Sequence, residues 1–118
     1  MENIHNCSRI TVKIGSSTLT HAATGRLNIR RIEALVRVLS DMKNAGKEVV
    51  LVSSGAVAAG ASKLGLPSEK RTLAQKQALA AVGQTELMRL YERLFAAYGY
   101  NVGQILMTKD IVEDSHRF

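Results

Sequence analysis

Two short Gly/Ser segments carry the clearest chemical potential in this chain: Gly15-Ser16-Ser17, which follows Lys13, and Ser53-Ser54-Gly55. Glycine and serine let backbone N–H groups approach an anion closely, so both segments suit a phosphate or a carboxylate. Thr108-Lys109 is a third small, basic segment of the same kind. A lysine in a strand covered on both faces is costly unless an anion neutralises it. Lys13 therefore reads either as a phosphate contact or as an edge residue whose ammonium reaches water. Ser53-Ser54-Gly55 leads straight into a helical segment, whose first N–H groups and partial positive charge attract anions. Ordinary serine capping explains the same pattern.

Other chemistries find little support. No GxxxxGK[ST] is present, and no GxGxxG follows a strand. No Ser/His/Asp arrangement can be assembled. His5, His21 and His116 are far apart and lack partners at metal-ligand spacing. Asp110, Glu113 and Asp114 read as the solvated opening of a helix, so no acidic residue stands out as a Mg²⁺ ligand. Cys7, the single cysteine, lies in a polar stretch and reads as a reduced thiol, which fits a cytoplasmic protein.

The elements that must position these segments follow from patterning. RITVKI (9–14) is a β-branched strand ended by GSS, and EVVLV (48–52) is a nearly continuous apolar run that suits a strand covered on both faces. Between them, Ile32, Leu35, Val36, Leu39 and Met42 form one helical stripe. Asn28 is placed to cap this helix and Gly46 to stop it. AVAAGASKL predicts a small-residue helix ending near Gly65, and Pro67 marks a connection. A long helix is expected over about 72–98, with a Thr72/Gln75 capping box and the stripe Leu87, Leu90, Tyr91, Leu94, Phe95 and Tyr98. Gly83 within it marks a tight helix contact or a bend. NVGQILM (101–107) reads as a third strand, and TKDIVEDSHRF as the start of another helix. Strands alternating with helices imply right-handed crossovers and a largely parallel open sheet in an α/β/α three-layer sandwich.

The chain has 118 residues, 46% hydrophobic and 22% charged, which suits one folded domain and excludes a chiefly disordered one. Nine glycines and one proline exclude a collagen-like chain. The net charge of +6 points to anionic partners. The basic residues are scattered and do not alternate with aromatics, so nucleic acid is not the expected partner. No apolar run approaches the roughly 18–20 residues of a membrane span, and residues 1–8 form a polar tail rather than a signal peptide.

Taken in order, VKIGSSTLT (12–20), GRLN (25–28), EVVLVSSGAVAAG (48–60), LGLP (64–67), KQALAAVGQTELMRLYERLF (76–95) and GQILMTKD (103–110) resemble the amino-acid kinase family. The single glycine after Lys13-Ile14 is similar to the branch that phosphorylates glutamate. The resemblance implies transfer of the ATP γ-phosphoryl group to the side-chain carboxylate of L-glutamate. The product would be L-glutamyl 5-phosphate, in proline biosynthesis. It implies that Lys13 is catalytic and contacts the ATP phosphates with Gly15 and Ser16. It implies that Ser54 and Gly55 hold glutamate. ATP and Mg²⁺ are the expected cofactors, and a cytoplasmic homo-oligomer the expected form. The resemblance also implies that residues 9–118 are the N-terminal part of such a kinase domain, with the remainder of the domain expected to be absent. The kinase part of a bifunctional pyrroline-5-carboxylate synthase and a non-catalytic oligomerising fragment are the alternative readings.

Overall fold

The computed structural model describes residues 8–66 and 71–104. Strand β1 (Arg9–Ile14) is followed by a single helical turn, α1 (Ser16–Leu19), and by α2 (Ile29–Asn44). Strand β2 (Glu48–Ser53), α3 (Ala56–Leu64) and α4 (Leu73–Ala96) complete the order. β1 and β2 pair in parallel, with Ile10 opposite Val49, Val12 opposite Leu51 and Ile14 opposite Ser53. A parallel pair requires a crossover, and α2 supplies it. The described residues thus form an α/β unit built on a parallel pair, consistent with an incomplete amino-acid kinase-like sheet.

Local signals decide where the helices begin. The Asn28 side chain accepts from Arg31 N–H at 3.2 Å, which satisfies one orphan donor of the first turn. At α4 both halves of the capping box are made. Gln75 N–H donates to Thr72 Oγ1 at 3.2 Å, and Thr72 N–H donates to Gln75 Oε1 at 2.8 Å. α2 and α3 stop just before Gly46 and at Gly65, as expected, and Gly99 lies shortly after α4.

The core joins every layer. Leu19, Ile32, Val36, Ala59, Leu87 and Tyr91 form one buried cluster, against which Ile14, Leu27, Leu51, Leu90, Leu94 and Phe95 pack. Of the α2 stripe, Ile32, Val36 and Leu39 are buried, while Leu35 and Met42 are only partly covered. Tyr98, expected in the α4 stripe, is exposed, because it lies beyond the last residue of that helix.

Gly83 is a tight contact and not a break, since α4 runs through it without interruption. It meets α3 at Gly60: a Cβ built on Gly83 would overlap the Ala56 carbonyl oxygen and lie 2.5 Å from Gly60 N. A Cβ on Gly60 would in turn overlap the Leu79 carbonyl oxygen. Two helices approach this closely only where neither carries a side chain at the crossing.

Three expectations change. Among the described residues EVVLV is not covered on both faces: Val50 and Val52 are 45% and 47% exposed. In the β1–β2 register they share their face with Thr11 and Lys13, which are exposed too. The core residues Ile14 and Leu51 belong to the opposite face, so the described helices cover only that side. The segment after Ile14 is not merely a turn but the helical turn α1, whose Leu19 is 1% exposed. Of the expected third strand, residues 101–104 are in no strand and 105–107 lie outside the described residues, as does the expected final helix.

One core residue is at odds with its surroundings. Ser40 is buried, and its hydroxyl has no partner among the described residues. An unsatisfied buried hydroxyl carries its full desolvation cost. Ser40→Ala is therefore expected to stabilise the chain by about 1 kcal/mol. Urea unfolding checks this: the midpoint rises while the slope stays constant.

Candidate functional site

The parallel register places the carboxyl ends of β1 and β2 side by side, so the two Gly/Ser segments adjoin. Ser54 N–H donates to the Ile14 carbonyl at 3.0 Å, which ties the second segment to the end of β1. Gly15 is extended and caps α1, whereas Gly55 takes φ +101° and caps α3. That left-handed geometry lets the chain turn directly from strand into helix, and it favours glycine. Gly55 is also buried against Leu19, with Leu19 Cδ1 3.5 Å from where a Cβ would lie. Gly55, as the N-cap, brings no side chain to the first N–H groups of α3, and such helix-terminal donors suit an anion.

The five expected site residues do not all meet at one surface. Ser16 lines an open groove of about 630 Å³ between the β1–α2 connection and α3. Lys13, Gly15, Ser54 and Gly55 do not line it. Lys13 is exposed on the open sheet face, one residue before the end of β1. Burial therefore gives Lys13 no need of an anion among the described residues, since nothing covers that face there.

The groove reveals residues that sequence reasoning passed over. Thr20, Thr24, Arg26, Ser62 and Arg71 line it together with Ser16, and no carboxylate of the described residues does. The Arg26 guanidinium and the hydroxyls among the described lining residues suit a negatively charged ligand. The available signal was Arg26 within GRLN and Arg71 immediately before the Thr72 cap.

A second unforeseen feature lies behind the Ser53-Ser54-Gly55 turn. Tyr91, buried on α4, has its hydroxyl 2.8 Å from Ser53 Oγ. Burial pushes the phenol above its ordinary range. The hydroxyl thus stays protonated at neutral pH.

Among the described residues, no group of three His, Cys, Asp or Glu side chains could hold a metal ion. Asp110, Glu113, Asp114, Thr108 and Lys109 lie outside them. The described residues do not make a Mg²⁺ set. Their means of neutralising charge are Lys13, the groove arginines and backbone N–H groups. No helix among the described residues is long and apolar enough to cross a membrane.

Comparison with known proteins settles the family. Residues 8–117 match the amino acid kinase family. The chain belongs to the amino acid kinase family. It is 50% identical over 116 residues to a glutamate 5-kinase of Symbiobacterium thermophilum, covering 98% of this chain and 44% of that relative. A glutamate 5-kinase of Moorella thermoacetica is 54% identical over 110 residues, covering 93% and 29%. One from Listeria monocytogenes is 47% identical over 112 residues, covering 95% and 40%. This amino acid kinase chain thus spans less than half the length of these relatives.

Proposed function

We propose that this chain is the amino-terminal part of a glutamate 5-kinase, in which a carboxylate oxygen of L-glutamate attacks the γ-phosphorus of ATP. The bond between that phosphorus and the bridging oxygen of ADP breaks, and L-glutamyl 5-phosphate and ADP leave. In this reading the acyl phosphate is an early intermediate of proline biosynthesis in the cytoplasm, and the working enzyme is a homo-oligomer. The observation that carries the reading is the pair of Gly/Ser segments joined at adjacent strand ends by the Ser54–Ile14 hydrogen bond. The identity to glutamate 5-kinases across nearly the whole chain supports it.

Phosphoryl transfer depends on positioning and on charge stabilisation more than on covalent chemistry by the protein. Lys13 supplies a point charge for the ATP phosphates, with Gly15 and Ser16 as the turn beside them. Ser54 and Gly55, at the N-terminus of α3, supply donors for the glutamate carboxylate. Such fixed donors act without reorganising as charge develops.

The test joins residues 1–118 to the remaining part of the Symbiobacterium thermophilum glutamate 5-kinase. Glutamate-dependent ADP release is expected, with the acyl phosphate trapped by hydroxylamine as the hydroxamate. A folded hybrid that shows ATP turnover with no dependence on glutamate overturns the substrate assignment.

A further inference from the structure

The Ser53 hydroxyl has one proton, and it is given to the Ser54 carbonyl at 3.1 Å. The 2.8 Å contact between Ser53 Oγ and the Tyr91 hydroxyl must then be donated by Tyr91. A directed relay results, from the Tyr91 hydroxyl to Ser53 Oγ to the Ser54 carbonyl. It runs from the buried side of α4 to the peptide that joins Ser54 to Gly55.

A trans peptide holds its C=O and N–H antiparallel, and the chain has no cis bond among the described residues. A Ser54 carbonyl held toward Ser53 therefore sends the Gly55 N–H the opposite way, away from Tyr91. No hydrogen bond from Gly55 N–H to another described residue occurs. Gly55, at φ +101°, has the flexibility for this peptide to rotate if nothing holds it. The hydroxyls of Tyr91 and Ser53 are what hold it. We infer that Tyr91 is a positioning residue for the acceptor site, acting through Ser53 to aim the Gly55 N–H at the substrate carboxylate. This rests on the proposed glutamate-binding role of Ser54 and Gly55.

Tyr91→Phe keeps the ring in the core and removes only the hydroxyl. In the glutamate 5-kinase hybrid, KM for glutamate is expected to rise about five- to tenfold, the range of one lost hydrogen bond. KM for ATP and the melting temperature are expected to stay near their original values. Ser53→Ala should give the same rise, and adding Tyr91→Phe to it should give no more, because a broken relay cannot be broken twice. Tyr100→Phe, which deletes a hydroxyl bonded to Asn44, serves as the control.

A second readout uses the 118-residue chain and needs no turnover. Tyr91→Phe is expected to shift the Gly55 amide resonance more than those of Ile32 or Leu87, which share the Tyr91 core. An unchanged Gly55 resonance, or equal changes in both KM values, overturns the relay. Absence of glutamate turnover in the unmutated hybrid counts against the proposed function instead, and the Gly55 resonance then decides the relay by itself.

Discussion

Gly83→Ala is expected to destabilise the chain by at least about 3 kcal/mol, the upper range for forcing extra volume into a packed contact. The sign is what makes the prediction sharp. Within an exposed helix, glycine to alanine stabilises by about 0.5–1 kcal/mol. At Gly83 the new methyl overlaps backbone, the Ala56 carbonyl oxygen and Gly60 N, and backbone cannot swing aside as a long side chain can. α3 and α4 would have to separate. Ala59 on α3 and Leu87 and Tyr91 on α4 belong to one cluster, so the separation would open the core. Folded domains hold only about 5–15 kcal/mol in total, so much of the structure's stability is at risk. Thermal unfolding followed by circular dichroism measures the loss. Gly15→Ala is the control. Gly15 has φ −84°, and nothing lies within 4 Å of where its methyl group would sit. Its stability should therefore change by less than about 0.5 kcal/mol. A Gly83→Ala chain as stable as the original would refute the crossing.

Lys13→Ala is expected to lower kcat of the hybrid enzyme about 10²- to 10³-fold, the effect of removing one preorganised electrostatic contact at developing charge. Stability is expected to change by less than about 0.5 kcal/mol, since Lys13 is exposed on the open sheet face. The separation of the two quantities is the test. A lysine that merely sat at a strand edge would change neither, and a structural residue would change both. Lys13→Arg should restore only part of the rate, because a branched planar guanidinium does not replace a compact ammonium. Steady-state kinetics at saturating ATP and glutamate, beside urea unfolding, decide the outcome. Undiminished kcat in Lys13→Ala removes the residue from the catalytic machinery.

The elements were legible because their signals are local. Asn28, Thr72 and Gln75 cap helices through contacts three residues away, and these contacts form whatever the tertiary fold. The stripe of Ile32, Val36 and Leu39 follows from helical period alone. The coverage of β2 was not legible. An apolar run reports that both faces of a strand can be buried, whereas burial itself depends on what packs there. Here Val50 and Val52 have no covering element among the described residues.

The candidate site divides in the same way. Sequence by itself determined the residue types and the turns: Lys13, Gly15 and Ser16 after one strand, Ser54 and Gly55 after the next. Strand and helix signals lie within a few residues of one another, so they are written into the chain order. Only the tertiary structure decided that α3 and α4 cross at Gly60 and Gly83, that Arg26 and Arg71 line one groove with Ser16, and that Tyr91 reaches Ser53. Those contacts join segments that are distant in the chain. No local preference encodes them; they arise when buried apolar faces have to share one core.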